Sequence, residues 1–170
     1  DEKLLQLGEI LHKQSADWTA RFTTDNHLFR QNSIHCVNLA QGFKEPVIYY
    51  QQSGEEKYLN APQEALRRIR HTIGFPTGLW AGDEYLHFGD PTRGSELCTA
   101  IEIMYSLEEM YRITGDNTYA DLLERVTYNA LPTQITDKGD ARQYYQQINQ
   151  VEVTRKPRNF STPHQDTDIL

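Results

Sequence analysis

Three short stretches of this sequence carry residue types that could do acid–base or metal chemistry. The first is Asp83–Glu84, two adjacent carboxylates in a glycine-rich segment. In a partly desolvated loop the pair would repel, raising the pKa of the more buried member toward a proton-donating range; an exposed loop would simply solvate both. The second stretch is Glu96–Leu97–Cys98, whose carboxylate and thiol can together hold zinc. Residues two apart diverge by about 200° on a helix, but face the same way on extended backbone. Thr99 and Glu102 have capping-box spacing and would start a helix just after Cys98, leaving the pair extended. A cap at Ser95 would instead put both in the first turn, as a buried structural cysteine beside a first-turn glutamate. The third stretch is His35–Cys36, which could complete a four-ligand site, although neighbours on a helix diverge by about 100°. From an N-terminal turn, His35 could equally bond to backbone or to a substrate.

The acids sit in a segment from Gly74 to Gly94, 21 residues with five glycines and two prolines. Unstructured connections of this length within a domain are usually functional or disordered. Gly78 and Gly82 flank Leu79–Trp80, an apolar pair that a mobile linker would waste. Trp80 offers either a flat face for a sugar ring or a pin that fixes the loop to the core.

The elements that must position this loop are helical. Leu4, Leu7, Leu11, Trp18 and Phe22 follow one another at three, four, seven and four residues, which predicts a helix over most of 2–23. Ile34, Val37, Val47 and Tyr50 predict a second helical stretch, broken or kinked near Pro46 and ended by Gly54. Leu59, Leu66, Ile69 and Ile73 trace a third, closed by Gly74. Ala100, Met104, Leu107 and Tyr111 trace a fourth, ended by Gly115. A fifth runs from about Tyr119 to Leu131 and stops at Pro132. Tyr50, Gly54, Glu55 and Tyr58 match Tyr111, Gly115, Asp116 and Tyr119 at a constant offset of 61 residues. Either an αα-hairpin is repeated, or two helix ends look alike. Alternation over Gln143–Val153 suggests a strand, and the polar tail that follows closes no fold.

With 38% apolar residues, and aromatic types making up 11% of the chain, it can build a core. A net charge of −7 disfavours nucleic acid, and the basic run Arg67, Arg68, Arg70, His71 fits the solvated side of one helix. No apolar stretch approaches the ~20 residues of a membrane span. The N-terminus lacks a charged stretch leading into an apolar run. Two cysteines, Cys36 and Cys98, are too few for a disulfide framework.

Taken together, WAGDE at 80–84, GSELC at 94–98, the helix through Tyr128–Asn129–Ala130 and QYYQQINQVEV at 143–153 resemble the β-L-arabinofuranosidases of glycoside hydrolase family 127, in particular its Bacteroides-type relatives. The resemblance implies an all-α chain whose helical hairpins form part of an (α/α)6 barrel, with a short β segment near the C-terminus. Residues 1–170 would be a partial catalytic-barrel domain, the rest of the barrel and the β-sandwich domains being absent. By the same likeness Glu84 matches the general acid/base, Glu96 and Cys98 match two zinc ligands, and His35 matches a substrate-contacting histidine. Tyr145 lies near a further pocket-lining position; Trp80 is counted with the substrate-binding residues on the strength of its flat apolar face alone. The family pattern also has two consecutive cysteines farther along, one of them the zinc-bound nucleophile, and no such pair occurs here. The implied function is retaining hydrolysis of β-L-arabinofuranosides in plant-type or other arabinose-containing glycans, with zinc as cofactor and a secreted or periplasmic location. The segment alone is expected to be inactive and to self-associate. Two other classes compete: a helical-repeat protein-interaction module without metal or sugar affinity, and an α-barrel epimerase or lyase that uses histidine or tyrosine bases and leaves Cys98 idle.

Overall fold

In the computed structural model, which describes residues 1–24, 34–91 and 93–150, these periodicities become seven α-helices and one short β pairing. The first predicted helix is two: α1 (Glu2–Gln14) and α2 (Trp18–Thr23). Asp17 divides them, because its side chain accepts from the Ala20 amide at 2.8 Å and so caps a new helix. Of the apolar stripe, Phe22 alone is fully buried, whereas Leu4, Leu7 and Leu11 remain exposed.

The second stretch also divides, into α3 (Cys36–Gly42) and α4 (Lys44–Ser53). Its break falls at Phe43, not near Pro46. Pro46 occupies the first turn of α4, where a missing N–H leaves no helical bond unmade. Helix α5 (Lys57–Thr72) ends two residues before Gly74, with Ile73 as its C-cap. Helix α6 (Leu97–Thr114) is followed by α7 (Asn117–Arg125), then by a π-helical turn (Val126–Ala130) and a 3-10 turn (Leu131–Gln134). Pro132 therefore does not stop the chain from turning. A 3-10 segment accepts proline in its own first turn.

The hairpin echo is a repeat of backbone geometry. Gly54 and Gly115 both adopt the left-handed conformation, with φ of 68° and 69°. Their amides close onto Tyr50 and Tyr111 carbonyls at 2.8 and 2.7 Å. Each glycine thus reverses the chain, packing α5 back on α4 and α7 back on α6.

Leu39 and Phe43 face Ile103, Leu107 and Met110 of α6 in one core, with Phe22 stacked on Phe43 at 4.8 Å. Each such fully buried side chain contributes roughly 1.5–3 kcal/mol relative to exposure. The strand expected over 143–153 shortens to β2 (Tyr145–Gln146), antiparallel to β1 (Ser95–Glu96), with Glu96 opposite Tyr145. Val151–Val153 lie outside the described residues. Among those described, no helix is long and apolar enough to cross a membrane.

Candidate functional site

The long glycine-rich segment is held by its backbone, not left mobile. The Phe75 amide bonds to the Leu79 carbonyl at 2.7 Å across a tight turn whose φ of 95° at Gly78 suits glycine. Ala81 then donates to Ile73, Gly82 to Gly94 and His87 to Ala81. This cross-bonding returns the chain repeatedly to the ends of α5 and α6. Residues 84–86 dock on the start of α3: the Cys36 amide donates to the Glu84 carbonyl at 2.7 Å, and the Leu86 amide to Ile34 at 3.0 Å. One orphan N–H of α3 is thereby satisfied by the residue that carries the candidate acid.

The Glu84 side chain meets two partners. His35, the N-cap of α3, brings its Nε2 to 2.7 Å from Glu84 Oε2, and the Tyr145 hydroxyl donates to Oε1. Both Glu84 and His35 keep about a quarter of their side-chain surface exposed, 23% and 26%, so a ligand can reach them. Tyr145 is buried and touches Glu84 directly. Trp80 requires correction as a sugar platform. It is 1% exposed, and its ring lies 6.0 Å from that of Phe43, so it pins the loop to the core and offers no face to a ligand.

The two adjacent carboxylates do not form a coupled pair. Asp83 turns fully into the interior, where His87 Nε2 lies 2.6 Å from Oδ1, while Glu84 turns toward α3. The carboxylate that does neighbour Glu84 is Glu96, across space. Burial raises the Glu96 pKa, with the Glu84 charge adding to it, and bonds from Cys98 and Tyr144 oppose the rise.

Glu96 sits at the N-cap of α6 with extended backbone, φ −89° and ψ 140°, and Cys98 is already in the first turn. The cap is thus neither Ser95 nor Thr99. An N-cap side chain folds back over the first turn, and Glu96 accordingly meets the Cys98 thiol. The Tyr144 hydroxyl donates to the same Glu96 oxygen at 2.7 Å and lies 2.6 Å from Cys98 Sγ. Burial, followed by the Glu96 contact, pushes the Cys98 thiol up to about 12, and Tyr144 is raised as well. Without a cation, Cys98 is therefore a protonated donor at neutral pH. Tyr144 is a member of the site that the sequence pattern does not single out. The sequence marks Tyr144 only as the neighbour of Tyr145.

Cys36 does not join this set. It is fully buried against Gly82, at the start of α3. Among the described residues, His35, Glu84 and Glu96 form a group whose ligand atoms all lie within 4.8 Å of one another and could hold a metal ion. Cys98 adjoins that group through Glu96. Glu96 Oε2 and His35 Nδ1 are buried with no hydrogen-bond partner, an arrangement a cation at Glu96 would relieve. A thiol with carboxylate and imidazole suits zinc better than calcium or magnesium.

The family model for the β-L-arabinofuranosidase GH127 catalytic domain matches residues 1–167. The chain belongs to the GH127 family. Solved structures with the same fold include the GH127 β-L-arabinofuranosidase Ara127N from Geobacillus stearothermophilus T6, at 20% identity and TM-score 0.59 over 66% of this chain. A protein described as a glycoside hydrolase aligns over 93% of it, at 18% identity and TM-score 0.67. A GH127 β-arabinofuranosidase from Bacteroides aligns over 82%, at 20% identity and TM-score 0.58. The chain spans 19%, 32% and 26% of those three chains, respectively. A comparison with curated proteins gives no match. GH127 enzymes have an α/α-barrel fold, and the glycine-capped hairpins described above are part of it.

Proposed function

We propose that these residues form part of the catalytic barrel of a retaining glycoside hydrolase that acts on β-L-arabinofuranosides or related glycans. The remaining helices and the β-sandwich domains belong to the rest of that enzyme. The observation that carries this reading is the convergence of a reachable carboxylate, Glu84, with a cluster of buried Glu96 and half-buried Cys98 and Tyr144 on one side of the fold.

In the first step the Glu84 carboxyl protonates the leaving glycosidic oxygen; in the second it accepts a proton from the incoming water. His35 and Tyr145 hold that carboxyl from either oxygen and fix where its proton is delivered. The nucleophile is a cysteine thiolate supplied by residues outside the 170. Glu96 and Cys98 would hold zinc, which keeps thiolates deprotonated at neutral pH and moderates their charge. Tyr144 orients the Glu96 carboxylate by its hydrogen bond.

The interaction-module reading requires solvated acids, and the burial of Asp83 and Glu96 weighs against it. The test is Glu84→Gln in the full-length enzyme, assayed on an arabinofuranoside. The substitution should lower kcat/KM by about 100-fold or more with an unchanged thermal midpoint. Full retention of activity would remove Glu84 from the acid role.

A further inference from the structure

The proton-donor role uses Glu84 and leaves its neighbour unexplained. Asp83 is fully buried, yet it is ionisable and sits in the loop that must aim the acid. His87 is also buried, with Nε2 at 2.6 Å from Asp83 Oδ1. Arg93 brings Nη2 to 2.9 Å from the same His87 nitrogen and Nε to 3.7 Å from Asp83 Oδ2. One imidazole nitrogen carries either a proton or a lone pair. Nε2 therefore makes only one of its two contacts a hydrogen bond: with the proton on Nε2 it donates to Asp83, and the Arg93 guanidinium acts by charge, balancing the carboxylate. Burying an aspartate is costly unless it is paired in this way, so the network must do something for the loop that an apolar residue would not.

We propose that Asp83, His87 and Arg93 form a buried positioning network that fixes the direction of the Glu84 carboxylate. His87 closes the loop segment around Glu84, since its amide bonds to the Ala81 carbonyl at 3.0 Å. Arg93 ties that closed segment to the strand leading into α6, two residues before Ser95. On the opposite side, the Cys36 amide grips the Glu84 carbonyl. With Asp83 anchored inward and the Glu84 carbonyl held by α3, rotation of the intervening peptide is blocked. The Glu84 side chain is left pointing at His35 and Tyr145. These three are positioning residues; none touches the reacting atoms.

The inference rests on Glu84 being the proton donor, and the experiment separates the two. In the full-length enzyme, kcat/KM is measured for an alkyl arabinofuranoside, whose leaving group needs protonation, and for a nitrophenyl arabinofuranoside, whose leaving group needs little. Glu84→Gln should fall about 100-fold on the alkyl substrate and about 5-fold or less on the aryl one. His87→Leu and Asp83→Asn should repeat that bias, because an acid displaced by about 1 Å loses about 100-fold. His87→Gln, which keeps a donor for Asp83, should restore most of the alkyl activity. If Asp83→Asn or His87→Leu does not fold, Arg93→Lys and His87→Gln decide: the lysine variant must show the same bias and the glutamine variant must not. Equal losses on both substrates in the folded variants, or no loss, would overturn the network's role. A Glu84→Gln enzyme without the bias would instead overturn the acid assignment itself.

Discussion

A Cβ placed at Gly82 would stand 1.9 Å from the Cys36 sulfur. Carbon and sulfur pack at no less than about 3.5 Å, so Gly82→Ala forces a separation of about 1.6 Å. Cys36 is fully buried at the first position of α3, and its amide holds the Glu84 carbonyl at 2.7 Å. Neither the helix end nor the loop can yield without moving the acid. Overpacking of this kind costs about 1–3 kcal/mol, and if Glu84 is the proposed acid, a shift of about 1 Å should lower kcat of the full-length enzyme about 100-fold. Cys36→Ala alone removes buried sulfur, at about 1 kcal/mol. In the double variant the nearest remaining contacts are the Tyr85 carbonyl oxygen at 3.1 Å and the Cys36 Cβ at 3.4 Å, which small adjustments absorb. Chemical denaturation of the four proteins should therefore give a double variant less destabilised than the sum of the singles by about 1–2 kcal/mol. Additivity within about 0.5 kcal/mol, or a Gly82→Ala cost below that, would refute the claim that the acid loop is pressed against α3.

Gly54→Ala and Gly115→Ala should each destabilise by about 1 kcal/mol, and by equal amounts, because both have positive φ and no atom near the missing Cβ; unequal costs in urea unfolding would argue against a shared hairpin design. Burial raises the Tyr119 pKa to about 12, so its contribution is fully present below the unfolded value near pH 10 and is lost as pH rises toward 12. Two units correspond to about 2.7 kcal/mol at full burial, and about 1–2 kcal/mol after solvent screening; the alkaline fall in stability should shrink by that amount in Tyr119→Phe, and unchanged curves would contradict it. The exposed Leu7 and Leu11 of α1 should drive association of the isolated 170-residue chain. Replacing both by Gln should shift sedimentation toward monomer, and association at wild-type strength would exclude this face.

Local signals fixed what local physics decides. Gly54 and Gly115 stop helices because only their left-handed conformation satisfies the last carbonyls, and that requirement is written in residue type. The break at Asp17 was equally local, but a stripe of leucines across it imitated continuity. At the site, the types Glu84, Glu96, Cys98 and His35 were legible, whereas their partnerships were not. Asp83 and Glu84 are adjacent in sequence yet face different environments, because the chain bends through both inside the reversal closed by the Gly82–Leu86 bridge, sending one side chain inward and the other toward α3. Glu84 and Glu96, twelve positions apart in the numbering, share a field only once the loop folds back onto α3 and α6. Trp80 was ambiguous in principle, since a flat apolar ring suits a sugar or a core equally, and burial against Phe43 decides it. Tyr144 could not be separated from Tyr145 until the pairing of β1 with β2 set the register.

The proposed function requires Glu96 and Cys98 to act as one metal-holding pair beside Glu84. Zinc K-edge absorption of the full-length enzyme, wild type against Cys98→Ser, measures this directly. The wild-type spectrum should show sulfur ligands at about 2.3 Å, and the variant should have one sulfur fewer. An identical sulfur shell in both proteins would mean that Cys98 does not bind the metal, and the reading of the cluster would fail.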